Sequence, residues 1–343
     1  MKILSKVIIG VLIIIISVFG FLALTKKNIS KIIIPQVAST PQVQSSPLNI
    51  VYMRSQAYPG SDVATTQTLP DGSNYKRYIA SFTSDGLKEY AYLTVPKTQK
   101  PAGGYPVIVF NHGYQIPELY TPDGNYIAYM DALAKQGYII FKPDYRGNGK
   151  SYGSPGSTYY SPNYAIDDLN AIASIKMFPS ANANRIGIWG HSMGGDISLR
   201  VSEISPDIKA VVIWGGVVGD YNDIIYNWQD KVSYKPAAED LYLRNLGLSD
   251  LLAQNGTPTQ NPNFWNSIDP YYNINYVSAP MQIDVGGSDE QVPPAFSLNL
   301  YNQMRSQGKQ VEYYSYPGSN HDIAQGYSLA MQRTITFFNK YLK

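Results

Sequence analysis

Arg185-Ile186-Gly187-Ile188-Trp189 runs directly into Gly190-His191-Ser192-Met193-Gly194-Gly195, and Asp196 to Ile204 then continues with helical spacing. An apolar run ending in G-x-S-x-G and opening a helix predicts strand, sharp turn and helix. In that setting the pattern displays a serine as a nucleophile. A serine on such a turn takes a backbone conformation that side chains rarely adopt. Its neighbours must be small for strand and helix to close around it. On this reading Ser192 stands at the carboxyl end of a buried strand.

Strands and helices alternate outward from that point. Tyr75 to Val95 reads as two strands around the turn Ser84-Asp85-Gly86, since Asp-Gly is a strong turn signal. Strands are expected at Pro106–Phe110, Tyr138–Lys142, Arg185–Trp189, Ile208–Trp214, Pro280–Val285 and Val311–Tyr316. Helices are expected at Tyr126–Gln136, Tyr164–Phe178, Phe296–Gln307 and Tyr327–Tyr341. This alternation predicts an α/β fold with a mostly parallel sheet and helices on both faces. Short, wholly apolar runs such as Pro106–Phe110 suit strands covered on both sides. Ligands in such sheets bind beyond the carboxyl ends of the strands. One stretch breaks the pattern. Residues 217–278 are polar and aromatic, with patchy helical spacing around Ala237 to Gln254, and are expected to form a lid-like insertion.

The chain has 343 residues, 44% of them hydrophobic, and a formal net charge of +2. That suffices for one large domain with a substantial core, and the balanced charge carries no nucleic-acid footprint. There is no cysteine, which excludes disulfides, thiolate metal sites and a cysteine nucleophile. No cofactor or metal is expected. Val7 to Leu24 is an uncharged run preceded by Lys2 and Lys6. At 1.5 Å per residue it spans about 27 Å, just enough for a bilayer core. Residues 1–24 are therefore read as a signal anchor, with a cleaved signal peptide as the alternative. Residues 25–48 follow as a flexible stalk rich in Ser, Thr, Gln and Pro, and residues 49–343 as the catalytic domain. This order places the domain outside the cytoplasmic membrane, or secreted if the leader is cut.

A serine hydroxyl needs a base within hydrogen-bond reach, and the chain holds three histidines. His191 adjoins Ser192 on a strand end and points to the other side. His112 sits in an earlier turn and suits a structural hydrogen bond. His321, in Tyr316-Pro317-Gly318-Ser319-Asn320-His321, alone fits the chain order Ser, Asp, His of serine enzymes with this elbow. Asp289, on the turn after Met281 to Val285, is the favoured acid that would hold the imidazole. Asp220 remains a second position for it, Glu290 is a neighbour open to confusion, and Asp284 and Asp322 are taken as structural and surface residues. The oxyanion needs two fixed donors. The backbone N–H groups of Met193 and Tyr114 are expected to supply them. Arg146, in Asp144-Tyr145-Arg146-Gly147, is read as half of a structural ion pair.

Across roughly residues 75–343 the chain resembles the α/β-hydrolase superfamily, and within it the catalytic domain of the prolyl oligopeptidase family. The resemblance rests on Ser84-Asp85-Gly86, Asp144-Tyr145-Arg146-Gly147 and the elbow. It also rests on Ser267-Ile268-Asp269-Pro270, Ala279-Pro280, Gly287-Ser288-Asp289-Glu290-Gln291-Val292-Pro293 and Tyr316 to His321. It implies Ser192, Asp289 and His321 as a catalytic triad and a serine-type peptidase that forms an acyl-enzyme. Peptidases of that family usually carry an N-terminal β-propeller, for which Asn49 to Tyr75 is too short. The His-Ser-Met elbow is common in esterases and lipases. A carboxylesterase or acyltransferase of the same fold therefore stays open, and a non-catalytic binding module is the alternative of a different class.

Overall fold

A computed structural model describes residues 46–343, which form one compact unit. The expected anchor, and the expected stalk up to residue 45, lie outside the described residues. Leu48, inside the expected stalk, is buried, and its carbonyl accepts from Arg200 Nη1 at 3.2 Å. Compact structure therefore begins ahead of Asn49. No helix of the described residues is long and apolar enough to cross a membrane.

Among the described residues nine strands form one sheet: β1 (Ala64–Leu69), β2 (Tyr75–Ser84), β3 (Leu87–Pro96), β4 (Tyr105–Asn111), β5 (Ile139–Pro143), β6 (Ala181–His191), β7 (Ile208–Trp214), β8 (Met281–Gly286) and β9 (Val311–Tyr316). Their order is β1-β2-β3-β5-β4-β6-β7-β8-β9. The first three strands and the β3–β5 pair are antiparallel, and the rest of the sheet is parallel. This is the α/β-hydrolase fold with a mixed, mostly parallel sheet. The exposed β1 carries Thr and Gln on both faces, so its sequence has no apolar alternation to announce it. It is an edge strand held by pairing with β2 alone.

The two-sided burial of the central strands is visible residue by residue. Val107 and Val109 of β4 enter one core cluster, with the helices Asn163–Met177, Met193–Ile204 and Pro294–Ser306. Ile108 and Phe110 enter the other, with Ile127–Ala134 and Tyr327–Leu342. Successive strand side chains point to opposite faces, so an unbroken apolar run is what a strand covered on both faces requires. Buried area of this kind contributes about 25 cal/mol per Å² of apolar surface.

The turns Ser84-Asp85-Gly86 and Asp144–Gly147 meet through Arg146 and the buried Asp167. Arg146 Nη2 lies 2.5 Å from Asp167 Oδ1 and 3.2 Å from Asp85 Oδ2, and Ser84 Oγ donates to Asp167 at 2.8 Å. Arg146 is thus the expected structural ion pair. Beside it, Glu89 is wholly buried, and its carboxyl oxygens have no hydrogen-bond partner among the described residues. Burial first, and then the negative charge of Asp167, push its pKa well above the carboxylate range. The folded chain therefore keeps the Glu89 proton, which the unfolded chain loses above about pH 4.3. The proton-linked stability is complete below that pH and declines as pH rises toward the folded-state pKa. Glu89→Gln removes the ionisation. Its Tm should match wild type near pH 4 and exceed it by about 8 °C or more at pH 8, read by calorimetry. An equal offset at both pH values would refute the buried-proton account.

Candidate active site

β6 ends at His191, and the helix Met193–Ile204 begins after one intervening residue. Between them Ser192 has φ 56° and ψ −121°, a region that costs a residue with a side chain on the order of 1–3 kcal/mol. Three backbone bonds hold it there. Ser192 N–H donates to the Trp214 carbonyl at 3.1 Å. The Ser192 carbonyl accepts from Gly195 at 2.9 Å and from Val217 at 3.0 Å. The flanking glycines are spatial requirements. A Cβ on Gly190 would lie 2.2 Å from Ser198 Oγ, and one on Gly194 would lie 2.1 Å from the Asn111 carbonyl oxygen.

His321 follows β9, and its Nδ1 lies 2.8 Å from Asp289 Oδ2. Both residues are buried. The other carboxylate oxygen of Asp289 accepts the backbone N–H groups of Gln291 and Val292, each at 2.9 Å. The acid is therefore aimed by its own loop. His321 Nε2 is buried without a hydrogen-bond partner among the described residues, and Ser192 and His321 line the same cavity.

The competing residues lie elsewhere. Asp220 accepts from Asp223 N–H at 2.9 Å and Tyr272 Oη at 3.3 Å. Glu290 accepts the backbone N–H of His321, not its ring. Asp284 takes Tyr316 Oη at 2.6 Å. Burial raises its pKa to about 7. Asp322 faces the cavity rather than only the surface. His112 is fully buried between Tyr120 and Tyr145 and donates from Nδ1 to the Gly113 carbonyl at 2.7 Å. Burial, helped by the nearby Lys142 ammonium, lowers its pKa to about 3.

On the oxyanion side, Met193 opens its helix, where a backbone N–H has no intrahelical acceptor. In the loop after β4, Gly113 N–H donates to Tyr126 Oη at 3.0 Å. The next amide in the chain is that of Tyr114, and Tyr114 and Met193 both line the cavity with Ser192. Tyr126 also joins the two halves of the site. Its hydroxyl donates to His191 Nδ1 at 2.8 Å, and His191 Nε2 donates to the His321 carbonyl at 3.3 Å. Burial first, and then His321, hold the His191 pKa well below its usual value. His191 therefore stays neutral, with both ring nitrogens occupied.

The cavity measures about 290 Å³. The segment between β7 and β8 supplies much of its wall, including Trp228, Val232, Tyr234 and Leu243. The helical spacing around 237–254 resolves into two helices, Ala238–Arg244 and Leu248–Asn255, broken at Gly247 with φ 92°. A third helix, Pro262–Ile268, follows. The insertion is tied to the Asp289 loop twice. Trp228 Nε1 donates to the Gln291 carbonyl at 2.7 Å, and Tyr234 N–H donates to the Glu290 carbonyl at 2.9 Å. Among the described residues no group of three or more His, Asp or Glu side chains is arranged to hold a metal ion.

This geometry accords with what the chain matches. The model of the prolyl oligopeptidase family matches residues 125–343. The chain belongs to the prolyl oligopeptidase family. It is a serine hydrolase of that family. A Bacillus subtilis relative, the uncharacterized peptidase YtmA, is 24% identical over 261 residues, which cover 76% of this chain and 91% of that one. The Pyrococcus horikoshii acylaminoacyl peptidase structure superposes with TM-score 0.63 at 23% identity, covering 79% of this chain and 43% of that one. This chain thus spans less than half of that peptidase's length. An acetyl xylan esterase from Thermoanaerobacterium superposes with TM-score 0.60 at 20% identity, covering 84% of this chain and 90% of that one.

Within this family frame, the residue that sequence reasoning missed is Tyr126. It was visible only as the start of an expected helix. Its φ is 68°, and its two hydrogen bonds bridge the loop after β4 and the end of β6, which lie side by side. Tyr126→Phe leaves Gly113 N–H and His191 Nδ1 without that hydroxyl. Each such loss costs about 1–3 kcal/mol. The variant should fold and lose about tenfold or more in kcat, with KM little changed, in steady-state assays. Unaltered kcat would show that the link does not position the site.

Proposed function

We propose that this hydrolase cleaves peptide or ester acyl bonds through an acyl-enzyme, with Ser192, His321 and Asp289 as its triad. Ser192 Oγ attacks the carbonyl carbon while His321 Nε2 takes its proton. The C–O or C–N bond to the leaving group then breaks, and His321 returns the proton to that group. Water, deprotonated in turn by His321, releases the acid and restores Ser192. Asp289 holds the Nδ1–H tautomer and stabilises the imidazolium. The Met193 and Tyr114 N–H groups receive the oxyanion. The observation that carries this reading is the buried, unpartnered Nε2 of His321, a residue that lines the cavity with Ser192 and whose Nδ1 is fixed by Asp289. Buried polar atoms are rarely left without a partner, and the Ser192 hydroxyl, on turning toward Nε2, would supply one.

Family membership favours peptides. The likeness to an acetyl xylan esterase over 84% of this chain and 90% of that one supports an ester substrate as the second reading. The apolar run Val7 to Leu24 behind Lys2 and Lys6 supports anchoring at the membrane with the catalytic domain outside the cytoplasm.

A fluorophosphonate probe should label Ser192 in wild type and not in Ser192→Ala, whose turnover should fall by about 10⁴-fold or more. Asp289→Asn should fall by about 10⁴-fold through the wrong imidazole tautomer. Folded protein that fails to label would end the proposal. Short acyl nitrophenyl esters compared with aminoacyl and prolyl anilides separate esterase from peptidase. For the anchor, full-length protein should sediment with membranes and be shaved by protease added to intact cells. Recovery wholly in the soluble cytoplasmic fraction would refute it.

A further inference from the structure

Arg244 is the single Lys or Arg side chain lining the cavity among the described residues. It ends the helix Ala238–Arg244. Its guanidinium lies over the Trp228 ring, 4.3 Å from the centroid, and Nη2 donates to Gln229 Oε1 at 3.2 Å. A guanidinium offers five N–H donors in a rigid fork. That one bond is its only side-chain hydrogen bond to a described residue. It forms no ion pair with a described carboxylate, although five other Lys and Arg side chains do. Burial disfavours its charge. Neither acidic group of the cavity pairs with it: Asp240 accepts Tyr114 Oη at 2.7 Å, and Asp322 is half-exposed to solvent.

A partly desolvated cation without a counter-ion is costly to keep. Stacking on Trp228 uses one face of the group and leaves most of its fork unmatched. The shape that matches the fork is a carboxylate, taken bidentately. We propose that Arg244 is a carboxylate receptor, and that the substrate cleaved at Ser192 carries a carboxylate group that reaches it. This inference rests on the hydrolase reading of Ser192 above and narrows its substrate class to anionic acyl compounds.

The test compares matched substrates on the full chain. A phenyl glutarate half-ester carries the carboxylate on the acyl side, and 4-carboxyphenyl valerate carries it on the leaving side. The methyl ester of each is the neutral control. Wild type should favour the anionic member of at least one pair by about 10- to 100-fold in kcat/KM, the range of a charge-assisted contact. Arg244→Gln should abolish that preference, chiefly through KM, while turning over the neutral esters within about twofold of wild type. Arg244→Lys should restore part of it. Equal or better turnover of the neutral member in both pairs by wild type overturns the assignment, and needs no variant. An equal loss on anionic and neutral substrates in Arg244→Gln overturns it as well, because it would make Arg244 a structural prop. Fluorophosphonate labelling of Ser192 in every variant keeps the two readings apart. No labelling sinks the hydrolase reading, whereas labelling without carboxylate preference sinks this one alone.

Discussion

Ser192 is held at a positive φ by hydrogen bonds from two neighbouring elements, and the rest of the site is arranged around that constraint. The Trp214 carbonyl at the end of β7 and the Val217 amide just beyond it fix the turn from the side. Gly190 and Gly194 let the strand and helix close to within a distance no Cβ tolerates. The strain is affordable because buried strands and the helix over them determine the backbone on both sides. Where such a residue persists, its surroundings over-determine it.

The same β-strand ends gather the other groups. β8 carries Asp289 just past its end and β9 carries His321, and these strands pair in parallel from Met281↔Val311 to Gly286↔Tyr316. Parallel pairing delivers every strand's carboxyl end to one edge of the sheet, so loops distant in sequence meet there. The chain Gly113, Tyr126, His191, His321 then ties the loop after β4 to the loop after β9 through hydrogen bonds beneath the cavity. The insertion after β7 closes over the top and is pinned to the Asp289 loop by Trp228 and Tyr234. Aiming of the Asp289 carboxylate, placing of the loop after β4 and shaping of the cavity are therefore one mechanical unit.

The buried charge around the first hairpin serves a different end. Arg146, Asp167 and Asp85 link turns that are far apart in sequence, with Glu89 kept protonated beside them. These motif residues look catalytic in a list, but none of them lines the cavity. Their role is to hold β2, β3 and the turn after β5 in register beneath the site.

From the sequence alone one could read the elbow, the alternating strands and helices, and the positions of Asp289 and His321. Each is encoded locally, by apolar runs, glycine spacing and the order of loops along the chain. The edge strand Ala64–Leu69 was not legible, because a strand exposed on both faces needs no apolar pattern. Nor was the break at Gly247, where weak helical spacing covers two helices. Tertiary structure alone decided that Tyr126 joins both halves of the site, that Asp322 faces the cavity, and that Arg244 stands in its wall without a counter-charge. Those facts depend on which loops meet above the sheet. Long-range contacts are set by packing and shared hydrogen bonds, and no local run of residues carries them.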